Sequence, residues 1–289
     1  MILVTGASGS VGKTVLQEVA KSGAKHRAMY RSAAEAAKAP AGTETVIADF
    51  AKKETLSAAL KAVESVYLVC SPIPELVQLE TNMIDACVAA GVKHVVLNSA
   101  MGAGDYGKSF PSWHRKVEDK LRSTRLSYTI LRPNSFHQNV VAFFAPSIRA
   151  QGVFYGSMQT ACNSFIDVRD IAVVAVRALA GGEHSGKIYE LNGPEALDYT
   201  KLAQRISKVA GREVNYVDIP MEAQKKAMLD QHLPEWQVKA LLELQEYYLG
   251  GKGGETDGLL QDLLGRQPIT MDQFLAEFAN EFRSQAASA

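Results

Sequence analysis

The 289-residue chain balances 31 Lys and Arg against 31 Asp and Glu, so its summed field gives no reason to expect nucleic acid, an anionic membrane surface or a polyanionic partner. Any anion site must be local. With 47% hydrophobic and 21% charged residues it can bury the core of an α/β domain plus a smaller lobe, and the scattered Cys70, Cys87 and Cys162 give neither a disulfide framework nor a metal site.

Residues 1–5 read as a strand that enters a glycine turn directly, with no basic leader and no cleavage site. No stretch nears the ~18 apolar residues of a membrane span, so a cytoplasmic protein is expected. Short apolar runs then alternate with helical patterns: a helix over 11–22, strands over 26–30 and at 46–47, and a helix over 53–62. The rhythm continues with strands over 65–70, 93–98 and 127–131 and helices over 75–90 and 112–123. Val66-Tyr67-Leu68-Val69 and Val95-Val96-Leu97 are continuous apolar runs, as strands covered on both faces require. The fold class is α/β: a Rossmann-type doubly wound parallel sheet of about seven strands with a smaller, interwoven C-terminal α/β lobe.

Beyond Arg132-Pro133 the rhythm changes to an aromatic-rich stretch over 136–144 and a Gly-Val-Phe-Tyr-Gly turn at 152–156. Residues 1–132 are therefore expected to form the nucleotide-binding domain, with 165–192 returning to it through a helix over 168–179 and a strand over 187–191. The substrate lobe is expected from 133–164 and 193–289. Glycine-rich 249–257 reads as a mobile loop, and a last helix over 271–282 puts Phe274, Phe278 and Phe282 on one face, a core stripe.

Gly6, Gly9 and Gly12 follow the first strand and open the first helix, the context in which a glycine pattern signals a dinucleotide. Gly6 permits the turn, Gly9 lets backbone approach a pyrophosphate, and Gly12 packs the helix on the sheet. The amides of Ser8, Gly9, Ser10 and Val11 then face negative charge. The second strand ends in Arg31, where an NAD site usually places an acid. A guanidinium there suits a 2′-phosphate, so NADP(H) is favoured over NAD(H). Asp49 and Phe50 fall where adenine lies, and Cys70, Ser71 and Pro72 are expected along the nicotinamide ribose.

With these residues, Tyr128-Thr129-Ile130-Leu131-Arg132-Pro133-Asn134, the stretch from Ser164 to Ala172, the stretch from Gly186 to Pro194, and Gly265-Arg266-Gln267-Pro268, the chain resembles the NmrA-like group of atypical short-chain dehydrogenase/reductases nearly end to end. Within that group it looks most like bacterial triphenylmethane reductases and NADPH:quinone reductases. The resemblance implies strand order 3-2-1-4-5-6-7 and a small lobe closing over the nicotinamide. It also implies a catalytic Ser with a Tyr-x-x-x-Lys pair. Ser99 matches the serine, but Phe110 and His114 stand at the other two positions.

The tyrosine acid is thus missing, which points to acceptors that spread the new charge into an extended π system, such as quinones. His114 is read as a ribose contact or a proton source near neutral pH, beside an equally open packing role. Ser99, Pro133 and Asn134 are expected to face the nicotinamide, with Asn134 a hydrogen-bond partner for its amide or for substrate. Phe110, Trp113, Phe136, His137 and Tyr155 offer flat apolar surface to an aromatic substrate, and Tyr106 is a spare phenol. The expected partner is a small aromatic or quinone molecule, and the protein a monomer or homodimer. The competing reading is a non-enzymatic NADP(H) redox sensor. An ether-cleaving or isomerase reading would want a lysine near the nicotinamide, and Lys116 is off that register.

Overall fold

The structure is a computed structural model that describes residues 1–284. Two compact units emerge, Met1–Pro133 with Val168–Glu190, and Asn134–Asp167 with Leu191–Ala289. In the first, β1 (Ile2–Val4), α1 (Ser10–Lys21), β2 (His26–Tyr30), α2 (Ala33–Ala36), β3 (Glu44–Ile47), α3 (Lys53–Ala59) and β4 (Ser65–Leu68) follow in βαβ order. Then come α4 (Leu76–Ala90), β5 (His94–Asn98), α5 (Ser109–Arg122) and β6 (Ser127–Pro133). The next elements are α6 (His137–Gln151), β7 (Val153–Gly156), α7 (Val168–Leu179) and β8 (Lys187–Leu191).

The parallel sheet has order β3-β2-β1-β4-β5-β6-β8. Its seventh strand is β8, and α7 packs against α1, so both late elements join the fold of the first half. Parallel strands with helices on both faces have no wet side, and every residue of β5 is buried. Leu3, Val66, Leu68, Val95 and Leu97 form one core with Leu56 of α3, Met83 and Ile84 of α4, and Val117 and Leu121 of α5.

Arg27 staples the far edge: its Nε and Nη2 bond Glu44 at 2.7 and 2.6 Å, and its Nη1 donates to the Ala59 carbonyl at 2.7 Å. α5 starts three residues earlier than expected because Pro111 sits in its first turn, where a missing N–H costs no helical bond. The side of α5 turned inward buries His114, Val117, Glu118 and Leu121.

Glu118 is fully buried yet completely engaged. Arg132 donates Nε to its Oε1 at 2.9 Å and Nη2 to its Oε2 at 2.6 Å, a two-pronged pair, and Nη1 reaches Glu190 Oε1 at 2.7 Å. Ser99 Oγ donates to Glu118 Oε1 at 2.5 Å. One carboxylate thereby ties α5, β6, β8 and the turn after β5.

The second unit is built on α6 and β7 with α8 (Tyr199–Ala210), β9 (Asn215–Asp218), α9 (Met221–Asp230), α10 (Glu235–Leu249), α11 (Leu259–Leu264) and α12 (Met271–Glu277). β7 pairs with β9 in parallel. Its core gathers Phe154, Leu202, Ile206, Phe274 and Phe282, with the Phe144 ring stacked on Phe154 at 4.6 Å. The last helix starts at Met271, where Thr270 forms a capping box, and ends at Glu277 and not at 282, the chain tightening into a 3-10 turn over Ala279–Glu281. Phe274 and Phe282 are still fully buried and Phe278 packs against them, a core stripe as expected. The glycine-rich 249–257 segment differs from a free loop: the Gly253 carbonyl accepts from Ser164 N at 2.7 Å and from Asn134 Nδ2 at 2.8 Å.

Two outcomes follow from α5. Glu118→Ala strands a buried guanidinium, so denaturant unfolding is expected to show a loss of about 3–5 kcal/mol, with Glu118→Gln milder. Burial lowers the His114 pKa from the ordinary 6.5 to about 4. The unfolded chain therefore takes up this proton first as pH falls. Stability is full above about pH 6.5 and declines toward pH 4, by on the order of 2–3 kcal/mol from this group. Thermal melts across that range test this, and His114→Leu should flatten the slope.

Candidate functional site

Because the strand order reverses between β1 and β4, the connections leaving these two strands run toward opposite faces and open a crevice at the carboxyl ends of the strands. Thr5, fully buried, closes its floor: its hydroxyl lies 3.0 Å from the Tyr67 carbonyl and accepts the Val69 amide at 3.0 Å. Gly6 adopts φ +57°, and a Cβ there would sit 2.7 Å from Val69 Cγ1. A Cβ on Gly12 would overlap the Gly6 carbonyl and approach the Thr5 carbonyl at 2.8 Å, both rigid backbone. These two glycines are demanded by the fold itself.

Gly9 is different. It caps α1 in an extended conformation with no side-chain cap, and the first turn carries no acidic residue. Ser8, Gly9 and Ser10 are exposed. A helix of 12 residues thus presents its first amides and the positive end of its dipole outward, uncompensated by any side chain of its own. Such a cradle fits the pyrophosphate of a dinucleotide.

Around it stand the other strand ends. Arg31 is exposed just past β2, and Asp49 follows β3 with its Oδ1 accepting from Ala51 N at 2.9 Å. Phe50 is only 8% exposed and belongs to the core, so it offers no free face to adenine. Its carbonyl accepts from Asn82 Nδ2 at 2.9 Å, a contact that sequence reasoning missed and that pins the turn carrying Asp49. Ser71 and Pro72 are exposed after β4, and Cys70 is half-buried. Burial, then the nearby Glu80 carboxyl, pushes the Cys70 thiol up to about 12, while Arg31 pulls it the other way. Glu80 itself is fully enclosed with neither oxygen in a good hydrogen bond, and burial raises it well above the carboxylate range.

Ser99 and Pro133 lie at the ends of β5 and β6, both buried, with the Pro133 carbonyl accepting from Met101 N at 3.1 Å. Several expectations fail here on physical grounds. His114 is 6% exposed with Nδ1 unpartnered, and burial keeps it neutral far below neutral pH, so it is no proton source there. The Ser99 hydroxyl is spent on Glu118.

Asn134 belongs to the second unit and has committed both amide hydrogens, to Asn192 Oδ1 at 3.0 Å and to Gly253 O at 2.8 Å, so it keeps none to donate to a ligand. Its Oδ1 accepts from Ser135 N at 2.7 Å.

The five aromatic residues do not form one set. Phe110 and Trp113 meet edge to face at 5.4 Å in the first unit, both half-buried. Phe136, His137 and Tyr155 belong to the second. There His137 is 1% exposed, 5.3 Å from the Phe274 ring and with Nδ1 3.6 Å from Asp167 Oδ2, a core residue and not a pocket wall. Tyr155 points outward opposite Val217. Among the described residues no helix is long and apolar enough to cross a membrane.

Known proteins resemble this chain in sequence and in fold. An NAD(P)H azoreductase of Xenophilus azovorans is 35% identical over 84% of this chain and 86% of its own. A (4-alkanoyl-5-oxo-2,5-dihydrofuran-3-yl)methyl phosphate reductase of Streptomyces griseus is 31% identical over 98% of this chain and 99% of its own. Among solved structures, an NADPH-dependent quinone oxidoreductase of Escherichia coli complexed with NADPH superposes with a TM-score of 0.89 at 28% identity, covering 96% of this chain and 99% of that one. The Citrobacter triphenylmethane reductase complexed with NADP(H) shares the fold at TM-score 0.87 and 23% identity, over 96% and 100% of the two chains. The model of the NmrA-like family matches residues 1–275, and the chain belongs to that family.

Proposed function

We propose that this chain is an NAD(P)H-dependent reductase that passes a hydride to a quinone or another conjugated aromatic or carbonyl acceptor, and that NADPH is its preferred donor. The observation that carries the choice of acceptor is the Ser99 hydroxyl held by Glu118 at 2.5 Å, beside a His114 that burial keeps neutral. Neither is an acid poised to protonate a plain alkoxide. An extended π system needs no such acid, since it holds the added charge until solvent supplies the proton. The names of the azoreductase and quinone oxidoreductase relatives fit the same kind of acceptor.

The bound nucleotide supplies the hydride and its two electrons. The residues of this chain bind and orient it. The Gly9 N–H is committed to the Gly6 carbonyl at 2.9 Å, so the amides of Ser10, Val11 and Gly12 would hold the pyrophosphate, while Arg31 would meet the 2′-phosphate and Asp49 would accept from the adenine amine. Cys70, kept as a neutral thiol by burial, lines the ribose with Ser71 and Pro72. Ser99, through Glu118, keeps the end of β5 in register and acts as a positioning residue.

Two measurements test this. Gly9→Ala is expected to fold, because its Cβ would lie 3.3 Å from the Gly6 carbonyl and needs only a small shift. The methyl group blocks the pyrophosphate, so nucleotide Kd should rise by about tenfold or more, roughly 1.4 kcal/mol, at little change in Tm. NADPH absorbance followed against quinones, azo and triphenylmethane dyes, enones and simple ketones should show turnover of conjugated acceptors. Simple ketones should lag by about 10²-fold or more, the usual worth of a general acid. Tight nucleotide binding with no turnover of any member would instead favour a redox sensor.

A further inference from the structure

At the end of β2 a basic side chain and an acidic one leave the chain four residues apart. Arg31 is exposed there, and four residues later Glu35 turns back toward it. Glu35 Oε2 accepts the Arg31 backbone N–H at 3.3 Å and the Ser32 hydroxyl at 3.4 Å, while Ser32 Oγ accepts the Glu35 N–H at 3.2 Å. This reciprocal capping arrangement holds the carboxylate in one place instead of letting it sweep through solvent. Its charge is felt in the sheet: burial first, then Glu35, raises the Tyr30 phenol above its ordinary value. The charge of Arg31 is felt at Cys70, at the tip of β4. The pair therefore stands at the same carboxyl edge as the α1 cradle.

We infer that Glu35 is a specificity-determining residue that opposes Arg31, so that this chain accepts NADH as well as NADPH. The inference rests on reading that edge as the dinucleotide site. A 2′-phosphate brings roughly −1.5 to −2 charges, which a guanidinium attracts and a carboxylate held at the same strand end repels. A 2′-hydroxyl is neutral, and a carboxylate is its natural acceptor. In NAD-specific sites that acid stands at the tip of the second strand; here it is returned to the same place from the opening turn of α2. The guanidinium keeps NADPH ahead, and the carboxylate limits the margin.

Glu35→Gln separates this role from a plain helix cap, because glutamine at that position still bonds back and only the charge is lost. NADPH and NADH would be titrated by fluorescence into the full-length wild type, Glu35→Gln and Arg31→Gln, at low and high salt. The wild type should favour NADPH by less than about tenfold, and Glu35→Gln should widen that ratio by about fivefold or more, mainly through tighter NADPH and most strongly at low salt. Arg31→Gln should narrow or reverse it. A ratio in Glu35→Gln within about twofold of wild type overturns the inference and leaves Glu35 a cap. Failure of the wild type to bind either nucleotide overturns the dinucleotide reading beneath it, a result that unchanged selectivity would not mimic.

Discussion

The close approach of α1 to the end of β1 depends on two glycines meeting backbone to backbone. Where the Gly12 Cα faces the Gly6 carbonyl there is no room for a methyl group, and Gly6 must take a positive φ to turn beneath Val69. That contact sets the height and direction of the first helix over the sheet. The exposed amides of its opening turn, the position of Thr5 on β4 and the crevice between β1 and β4 follow from it. Gly9, by contrast, is not required by packing, and its small side is free to serve what lies outside.

A second constraint works from the other flank. The Glu118 carboxylate is taken wholly out of water, a costly state that only a guanidinium with matched geometry makes tolerable. By adding the Ser99 hydroxyl and, through Arg132, Glu190, the network fixes the ends of β5, β6 and β8 relative to α5. The hydroxyl at the expected catalytic serine position is thereby engaged in this network.

The second unit has its own logic. Phe144, Phe154, Tyr199 and Tyr216 pack as a connected set of rings around β7 and β9, and Arg205 joins Glu195 and Asp272 to hold α12 beside α8. Asn134 and Ser164 both bond the Gly253 carbonyl, so a stretch with the composition of a loose linker becomes an anchored strap.

What the sequence determined by itself is what depends on near neighbours along the chain. The apolar runs that become β4 and β5, the glycines at 6, 9 and 12, the missing acid after β2 and the aromatic spacing of α12 all act over a few residues. Hence fold class, sheet and cradle were legible. The capping pattern Ser32-x-x-Glu35 is equally local, and it returns its carboxylate to the Arg31 backbone N–H four residues back. Only the tertiary structure decided the burial of His114, His137 and Phe50 and the commitment of Ser99 and Asn134. A side chain's exposure and its spare hydrogen bonds are set by partners far away in sequence, 19 residues for Ser99 and Glu118 and 119 for Asn134 and Gly253. Residue type and spacing propose a chemistry; desolvation and prior engagement, which exist only in the packed state, decide whether it is left to use.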